Sequence, residues 1–396
     1  SYYWFDLPTI IDNNVDPDVL SQILSDDSRT SAVYGSVQYD ILPSLTVSVE
    51  ARLQRDTVIG LNPLPPNPGQ PPLPSSSVTT DSYLPRYSLS YKIHPNLSIY
   101  AQVAEGDDPA GNNPDVLTPI KVQLATLAGN LSQLHSFLHY KEEKLWNYEL
   151  GAKGDFFDHH LTIDGDVYYL TWQNYQNSTN YQIAPAGTYP GVTTVPSLYA
   201  SHVTFNEGTL HGKGLEVTAD YLPVRILDLT LAYSHNEMTY VTACSPNITQ
   251  FGFVNQPGFP YPCVNVDGKD LPLIPHDTVS LGVALTSHPF SGDFVWTNRA
   301  EAYYTGRQYM DDTNLNWIAP IYNVSLYSIL SRGTISFTAF IKNLTDNRTP
   351  TGVGGPGSAN VYLQSNYNLG GNAGRTGIDA AVAPPREYGL KMNYSF

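Results

Sequence analysis

The residues whose types suggest covalent chemistry are few, and they lie in polar stretches of the sequence. Cys244 and Cys263 are the only cysteines among the 396 residues, and both fall within the segment 239–273. In an oxidising compartment such a pair is expected to form a disulfide that restrains its segment, and metal capture by the two thiols is the alternative. The pair therefore predicts a stapled loop if the segment faces an oxidising environment.

A pair of histidines is the second candidate for chemistry. His135 and His139 stand at positions i and i+4 in the segment 115–144, where Leu and Val recur near helical spacing. Two histidines on one helix face can bind zinc, but Ser136 follows the first, so the zinc-protease motif H-E-x-x-H is not formed. An ordinary surface helix is the alternative interpretation, and it is the one we favour.

Other catalytic and cofactor-binding motifs do not occur in the sequence. It contains no serine-hydrolase elbow, no phosphate-binding loop, no dinucleotide-binding fingerprint and no EF-hand spacing. We therefore predict that the protein is not an enzyme and that it needs no cofactor. Asp and Glu outnumber Lys and Arg by 36 to 20, and the net charge of −16 disfavours binding to the phosphate backbone of a nucleic acid.

The elements that must position any site are predicted by a period of two residues. Apolar and polar residues alternate without a fault from Glu387 to Phe396, which places successive side chains on opposite faces of a strand. Similar stretches come in pairs joined by short turns, as around Pro43-Ser44 and Ser331–Gly333. We count about fourteen strands, including a poorly defined one near Val361–Tyr367. Long polar segments separate the pairs, at 56–81, 106–144, 175–208, 239–273, 305–318 and 344–386.

Short turns at one end and long loops at the other are typical of an outer-membrane barrel. We therefore predict an all-β fold, a transmembrane antiparallel β-barrel with short periplasmic turns and long extracellular loops. Its apolar face would meet lipid and its polar face would line the lumen, which explains how a membrane protein can have 29 Tyr and only 14% charged residues. A soluble β-sandwich or propeller is the alternative, but its polar face is usually rich in Lys and Glu.

Several motifs resemble those of one family. The stretches Leu145–Gly154 (LWNYELGAKG), Gly212–Val217 (GKGLEV), Ile341–Asp346 (IKNLTD) and Pro385–Phe396 occur in the order found in the C-terminal part of TonB-dependent outer-membrane receptors. Thr345 stands where these receptors usually have Phe. Leu84–Leu89 and Leu271–His276 also fit, so the resemblance extends over about 30–396.

The resemblance implies a 22-stranded barrel that holds an N-terminal plug. This sequence has too few strands for that, no plug-like segment and no TonB box near its start, and Ser1–Leu7 looks like the end of a strand. We therefore expect residues 1–396 to be the C-terminal portion of a longer receptor barrel, without the plug. By resemblance, Phe396 is the signal that the barrel-assembly machinery reads.

The function that the resemblance implies is energised uptake of a scarce nutrient, such as a ferric siderophore or another large solute. The expected partners are the TonB complex acting through the plug, the barrel-assembly machinery, outer-membrane lipid and lipopolysaccharide, and a small-molecule or metal-chelate ligand. A passive porin and a structural subunit of a larger outer-membrane assembly are the alternatives. Aromatic residues of the loops and the mouth are the candidate ligand contacts: Tyr175, Tyr181, Tyr240, Tyr309, Trp317 and Tyr367.

Overall fold

A computed structural model gives the architecture of most of the chain. It describes residues 25–61, 76–113, 116, 125, 129, 131–184, 187–189, 192–195, 198–245, 254–255, 262–289, 293–353 and 380–395. The predicted strand near Val361–Tyr367, the segment Ser1–Leu7 and Phe396 lie outside these residues. The statements below refer to the described residues.

Strands make up nearly all of the structure. Those of the first half are β1 Ser25–Leu42, β2 Leu45–Leu61, β3 Ser76–His94, β4 Leu97–Asp108, β5 Gly111–Asn112, β6 His139–Tyr140, β7 Glu143–Phe156, β8 Leu161–Ala184, β9 Gly187–Tyr189 and β10 Val192–Val195. Those of the second half are β11 Leu198–Val224, β12 Leu227–Ser245, β13 Val254–Asn255, β14 Pro262–Asn265, β15 Asp277–Ser287, β16 Phe294–Thr305, β17 Gln308–Tyr309, β18 Trp317–Ile318, β19 Ile321–Arg332, β20 Ile335–Lys342, β21 Pro350–Val353, β22 Ala380–Val382 and β23 Glu387–Tyr394. One short helix, α1, spans Leu131–Ser136.

One large antiparallel sheet carries the fold. Its strands follow each other in chain order along the path β1-β2-β3-β4-β7-β8-β11-β12-β15-β16-β19-β20-β23. Thirteen strands thus stand side by side in the described part of the chain, close to the predicted number. The predicted short turns are confirmed, for example at residues 43–44 between β1 and β2 and at 333–334 between β19 and β20.

The two faces of this sheet differ in the way that the alternation predicted. Leu231, Leu281 and Ala302 are opposite one another on β12, β15 and β16 and therefore share a face. That face is apolar and open to its surroundings: Leu281 is 47% exposed, and Leu390 on β23 is 89% exposed. Such exposure of large aliphatic side chains on successive strands is unfavourable in water and is what a wall in contact with lipid requires.

The outer strands of the path leave two edges open. Within the described residues β1 pairs only with β2, and β23 pairs only with β20. An unpaired edge exposes a row of backbone N–H and C=O groups, which is costly in lipid. The wall formed by these thirteen strands therefore needs further pairing before it can span a membrane.

Several strands continue far beyond the apolar band, and here the sequence-based loop boundaries were wrong. β8 runs to Ala184 and β11 starts at Leu198, so most of the segment predicted as a loop at 175–208 is a long hairpin. The boundary was misplaced because both faces of this hairpin are polar beyond the band, as at Gln176, Asn177 and Ser178. The alternation ends there, although the backbone ladder continues.

The described part of the segment 115–144 contains the predicted helix, but the helix does not carry both histidines. The described helix, α1, ends at Ser136, so it carries His135 but not His139. His139 begins β6 instead, and its Nδ1 lies 2.7 Å from Oδ1 of Asn112 on β5. In the part of the chain that the structure describes, no helix is long and apolar enough to cross a membrane.

Candidate functional site

The loop between β16 and β19, residues 306–320, brings together two of the six aromatic residues predicted to contact a ligand. We call it the platform loop. Its short strands β17 and β18 pair so that Tyr309 is opposite Trp317. Trp317 is 56% exposed, which is high for an indole side chain. The loop thus presents an accessible aromatic surface at the long-loop end of the sheet.

Arg307 completes this surface, although it was not predicted from the sequence. The carbon at the centre of its exposed guanidinium group lies 5.0 Å from the centroid of the Tyr309 ring and 5.9 Å from that of Trp317. A guanidinium group at such distances interacts favourably with both rings and still offers its N–H groups to an anion. Flat apolar surface and a fixed positive charge therefore lie side by side. An arginine next to a loop aromatic residue is too common a sequence feature to predict this contact.

Polar side chains fix the shape of the platform loop by forming hydrogen bonds with its backbone. The carboxylate of Asp311 accepts hydrogen bonds from the backbone N–H groups of Thr313 (3.0 Å), Leu315 (3.2 Å) and Asn316 (3.0 Å). Asn314 adopts a positive φ of 58°, a conformation that Asn tolerates better than most residues. These bonds close the tip of the loop into one defined turn.

Neighbouring segments hold the same loop in place. The side chain of Asn314 accepts a hydrogen bond from the backbone N–H of Asp270 at 2.7 Å and donates one to its carbonyl at 2.9 Å. The backbone N–H of Leu273 donates to the carbonyl oxygen of Tyr309 at 2.8 Å. The platform loop is therefore fastened to the segment that leads from β14 to β15.

A buried polar network lies below the platform loop. Asp312, which is 6% exposed, accepts hydrogen bonds from the hydroxyl groups of Tyr240 at 3.1 Å and Ser245 at 2.5 Å. Glu207 on β11 is fully buried and accepts from Asn177 on β8 at 2.8 Å, and its Oε2 lies 3.4 Å from the hydroxyl oxygen of Tyr240. The network thus connects the platform loop to three strands, at a level beyond the apolar band of the sheet.

The electrostatics of this network are unusual because the two acidic side chains, Glu207 and Asp312, are both buried. Burial, and next to it the negative charge of Asp312, raise the pKa of Glu207 well above its usual range. Burial, together with the charges of Glu207 and Asp312, also raises the pKa values of Tyr175 and Tyr240, so both phenols remain neutral.

The other predicted ligand contacts do not join the platform surface. Tyr240 is 1% exposed and packs in an apolar cluster with Leu210 and Val266, with Tyr175 against it. The rings of Tyr175 and Trp172 meet edge to face, with centroids 4.9 Å apart. Both tyrosines thus pack in this apolar cluster and do not form part of the platform surface. Tyr181 lies on the extension of β8, and Tyr367 is outside the described residues.

The predicted disulfide is present, and it lies inside a second apolar cluster. Cys244 and Cys263 are bonded, with their Cα atoms 5.4 Å apart. Both half-cystines are buried together with residues of α1 and β11. We call this cluster the cap core, and its members are Val116, Ala125, Leu134, Phe137, Val203, Phe205, Cys244 and Cys263. The disulfide therefore holds more than its own loop, because residues from three separate segments pack around it.

Amide side chains fasten the segment around α1 to the β8–β11 hairpin. Nδ2 of Asn113 donates to the carbonyl oxygens of Phe137 and Thr204, both at 2.6 Å, and its Oδ1 accepts from the N–H of Thr204 at 2.9 Å. These bonds satisfy backbone groups of Phe137 and Thr204. The described residues at the long-loop end thus form a folded cap rather than a set of separate loops.

A metal centre is not evident among the described residues. They contain no group of three or more His, Cys, Asp or Glu side chains arranged to hold an ion. The pair His135 and His139 is divided between α1 and β6, and both cysteines are used in the disulfide. The aromatic and guanidinium surface of the platform loop is therefore the best candidate for ligand contact in the part of the chain that is described.

Comparison with known structures shows a shared fold. The ferric yersiniabactin uptake receptor of Yersinia pestis matches with a TM-score of 0.64 and 15% identity, over 94% of this chain and 46% of that chain. The siderophore receptor PiuA of Acinetobacter baumannii gives 0.62 and 16%, over 94% and 44%. The ferripyoverdine receptor of the outer membrane of Pseudomonas aeruginosa gives 0.60 and 15%, over 96% and 40%. The chain thus spans less than half the length of these receptors.

The sequence itself identifies the family. Residues 2–329 match the family model described as TonB dependent receptor-like, beta-barrel, which is well over half of the chain. This agrees with the order of motifs noted above and with the antiparallel sheet whose apolar face is open. The chain belongs to the family of TonB-dependent receptor-like β-barrels.

Proposed function

We propose that this chain forms part of the wall and the external cap of an outer-membrane receptor that takes up a scarce nutrient, with a ferric siderophore as the leading candidate. The family match over residues 2–329 is the observation that carries the proposal. The structural relatives are described as receptors for ferric yersiniabactin and ferripyoverdine. In the complete receptor, a plug pulled by the TonB complex would open the path for the ligand.

Within this proposal the platform loop makes first contact with the ligand. Arg307, Tyr309 and Trp317 together offer a positive charge next to flat apolar surface, which suits a large solute with anionic and aromatic parts. The fixed turn around Asp311 lowers the entropy lost when a ligand binds, since the loop is ordered beforehand. Tyr175, Tyr181, Tyr240 and Tyr367 remain weaker candidates for contact.

A passive porin is the main rival function. It requires a complete closed barrel, and the open edges of β1 and β23 among the described residues speak against closure by these thirteen strands alone. A structural subunit is the other rival, and no observation favours it here. We further propose that the barrel-assembly machinery and lipopolysaccharide are partners, as expected for a strand-built wall in the outer membrane.

Binding to a panel of ferric chelates tests the proposal. The full-length gene product, purified in detergent, is titrated with ferric yersiniabactin, ferripyoverdine and ferric citrate by isothermal calorimetry. We expect saturable binding of at least one chelate, and weaker binding after Arg307→Ala. Steady ion conductance in a planar bilayer, without binding of any chelate, would favour the porin instead.

A further inference from the structure

Glu207 is a buried acid that neither ligand contact nor the wall of the barrel requires. It lies on the extension of β11, and its side chain is fully shielded from water. Its Oε2 accepts a hydrogen bond from Asn177 and lies 3.4 Å from the hydroxyl oxygen of Tyr240, whose single proton has a nearer acceptor in Asp312 at 3.1 Å. Its Oε1 receives no hydrogen bond from the described residues. The carboxyl groups of Glu207 and Asp312 lie within hydrogen-bonding reach of each other. Two acidic groups thus meet where water cannot separate them.

No cation is among the described groups that act most strongly on Glu207. The groups that act on it are Asn177 from β8, Tyr240 and Ser245 from β12, and Asp312 from the platform loop. Tyr175 from β8 lies in the same field, together with the acid Glu143 from β7. These groups are neutral or acidic. Ionisation of both carboxyl groups would place two like charges in a medium of low dielectric constant, so one of them is better kept as the acid.

The hydrogen-bond pattern makes Asp312 the acceptor and leaves Glu207 the role of donor. Asp312 already accepts two hydroxyl hydrogen bonds, from Tyr240 and Ser245, which stabilise a carboxylate. We propose that Glu207 is protonated at neutral pH and donates a third hydrogen bond to Asp312, so that it acts as a positioning residue for the platform loop. A neutral carboxylic acid that serves as a donor in an apolar site is chemically well founded.

The bond has a structural consequence for the ligand surface. Asp312 lies in the platform loop between Tyr309 and Trp317, and Glu207 lies on a long strand of the sheet. The proton therefore ties the aromatic surface to the rigid part of the molecule. Loss of the proton would replace a hydrogen bond by repulsion between two carboxylates and would loosen the loop. This inference concerns the position of the loop and does not depend on which ligand is bound.

The direction of the pH effect follows from the raised pKa of Glu207. A carboxyl group whose pKa is higher in the folded than in the unfolded protein stabilises the fold fully below its unfolded value and loses this effect as the pH rises through the folded value. The tie thus persists as long as Glu207 keeps its proton, and it is lost as the pH rises through the raised pKa of Glu207.

Infrared spectroscopy of the full-length receptor at neutral pH tests the proton directly. Wild type should show a carbonyl stretching band of a protonated carboxylic acid that Glu207→Gln abolishes. The matched control is Glu237→Gln on β12, whose carboxylate is paired with Lys213 at 2.7 Å and should contribute no such band. A spectrum in which Glu207→Gln removes no acid band would overturn the proposal.

Hydrogen–deuterium exchange of residues 306–320 without ligand tests the tie. Glu207→Gln should leave exchange in the platform loop as slow as in wild type, because its amide can still donate to Asp312. Glu207→Ala should speed exchange roughly tenfold, in line with the loss of one buried hydrogen bond to a charged group. If Glu207→Gln speeds exchange in the platform loop roughly tenfold relative to wild type, Glu207 is not a donor and the proposal fails. This comparison with wild type can be made even if the alanine variant does not fold.

Discussion

Trp317 and Arg307 illustrate what single residues contribute to this molecule. Trp317 could be selected from the sequence as a loop aromatic residue, but its partner Arg307 could not, because the contact depends on the pairing of β17 with β18. Glu207 and Asp312 carry no sequence signal either, since they lie more than a hundred positions apart. Residues that act through long-range contacts are therefore the ones that pattern analysis misses.

Removal of the Trp317 side chain should weaken ligand binding. Trp317→Ala loses one ring of the platform surface and the cation–π contact with Arg307, which corresponds to about 1–2 kcal/mol, or roughly tenfold in Kd. Calorimetric titration with whichever ferric chelate binds wild type measures the change. Trp296→Ala, on the lipid-facing wall, is the control and should not alter Kd. Equal losses for both variants would remove Trp317 from the ligand surface.

The hydroxyl group of Tyr240 should stabilise the fold. Tyr240→Phe keeps the ring in its apolar cluster but removes a donor to the buried carboxylate of Asp312. We expect a loss of about 1–3 kcal/mol in the free energy of unfolding, because a buried charged acceptor is left with one partner fewer. Urea unfolding from lipid vesicles measures it. A variant as stable as wild type would show that water replaces the hydroxyl group.

At the scale of elements, the sequence predicted the strands well and the ends of the strands poorly. Alternation located the turn at residues 43–44 and placed the one at 333–334 within two residues, at Ser331–Gly333, because lipid on one side forces a strict period of two. Beyond the apolar band no such force acts, and the extensions of β8 and β11 are stabilised by ladder bonds and by amide side chains such as Asn113. Their sequence therefore resembles that of a loop.

Gly208 marks the point where the extension of β11 changes its register. Its φ is 147°, and a Cβ atom built there would lie 2.1 Å from the carbonyl oxygen of Thr242. Gly208→Ala should therefore cost at least about 1–3 kcal/mol in stability. Gly35→Ala is the control, because a Cβ atom added at Gly35 would have no atom within 4 Å. If urea unfolding shows the same loss of stability for both variants, Gly208 is not in a strained position.

The disulfide should stabilise α1 as well as its own loop. Cys244 and Cys263 share the cap core with Leu134 and Phe137, so reduction should loosen the packing around the helix. We expect faster hydrogen–deuterium exchange at Leu131–Ser136 after treatment with a reductant. The double variant Cys244→Ser/Cys263→Ser should not respond to the reductant. Unchanged exchange in reduced wild type would show that the helix is held by other contacts.

At the scale of the whole molecule, the fold is a sheet with one exposed apolar face, as expected for a wall in a bacterial outer membrane. The buried apolar clusters lie in the cap, whereas the band of large aliphatic side chains on the sheet is exposed. Composition and alternation could predict that large aliphatic side chains lie on the outside of the sheet, because the lipid around the wall imposes this arrangement. The number of strands in the complete receptor could be inferred only from the resemblance.

A charge on the lipid face tests this arrangement. Val283→Arg, near the middle of β15, should destabilise the folded state by about 2–4 kcal/mol, as expected for arginine near the bilayer midplane. Ser280→Arg lies on the opposite face of the same strand and should cost much less. Urea unfolding from lipid vesicles compares them. The faces are assigned wrongly if the Ser280 variant is the less stable of the two.

Energised uptake is the central claim, and one measurement tests it most directly. Cells that express the full-length gene are supplied with radioactive iron as the ferric chelate that binds the purified receptor, with and without a protonophore that discharges the inner membrane. We expect saturable uptake that the protonophore abolishes. Deletion of the gene should also remove this uptake. Energised uptake would be contradicted if uptake continued unchanged in cells treated with the protonophore and rose linearly with the chelate concentration.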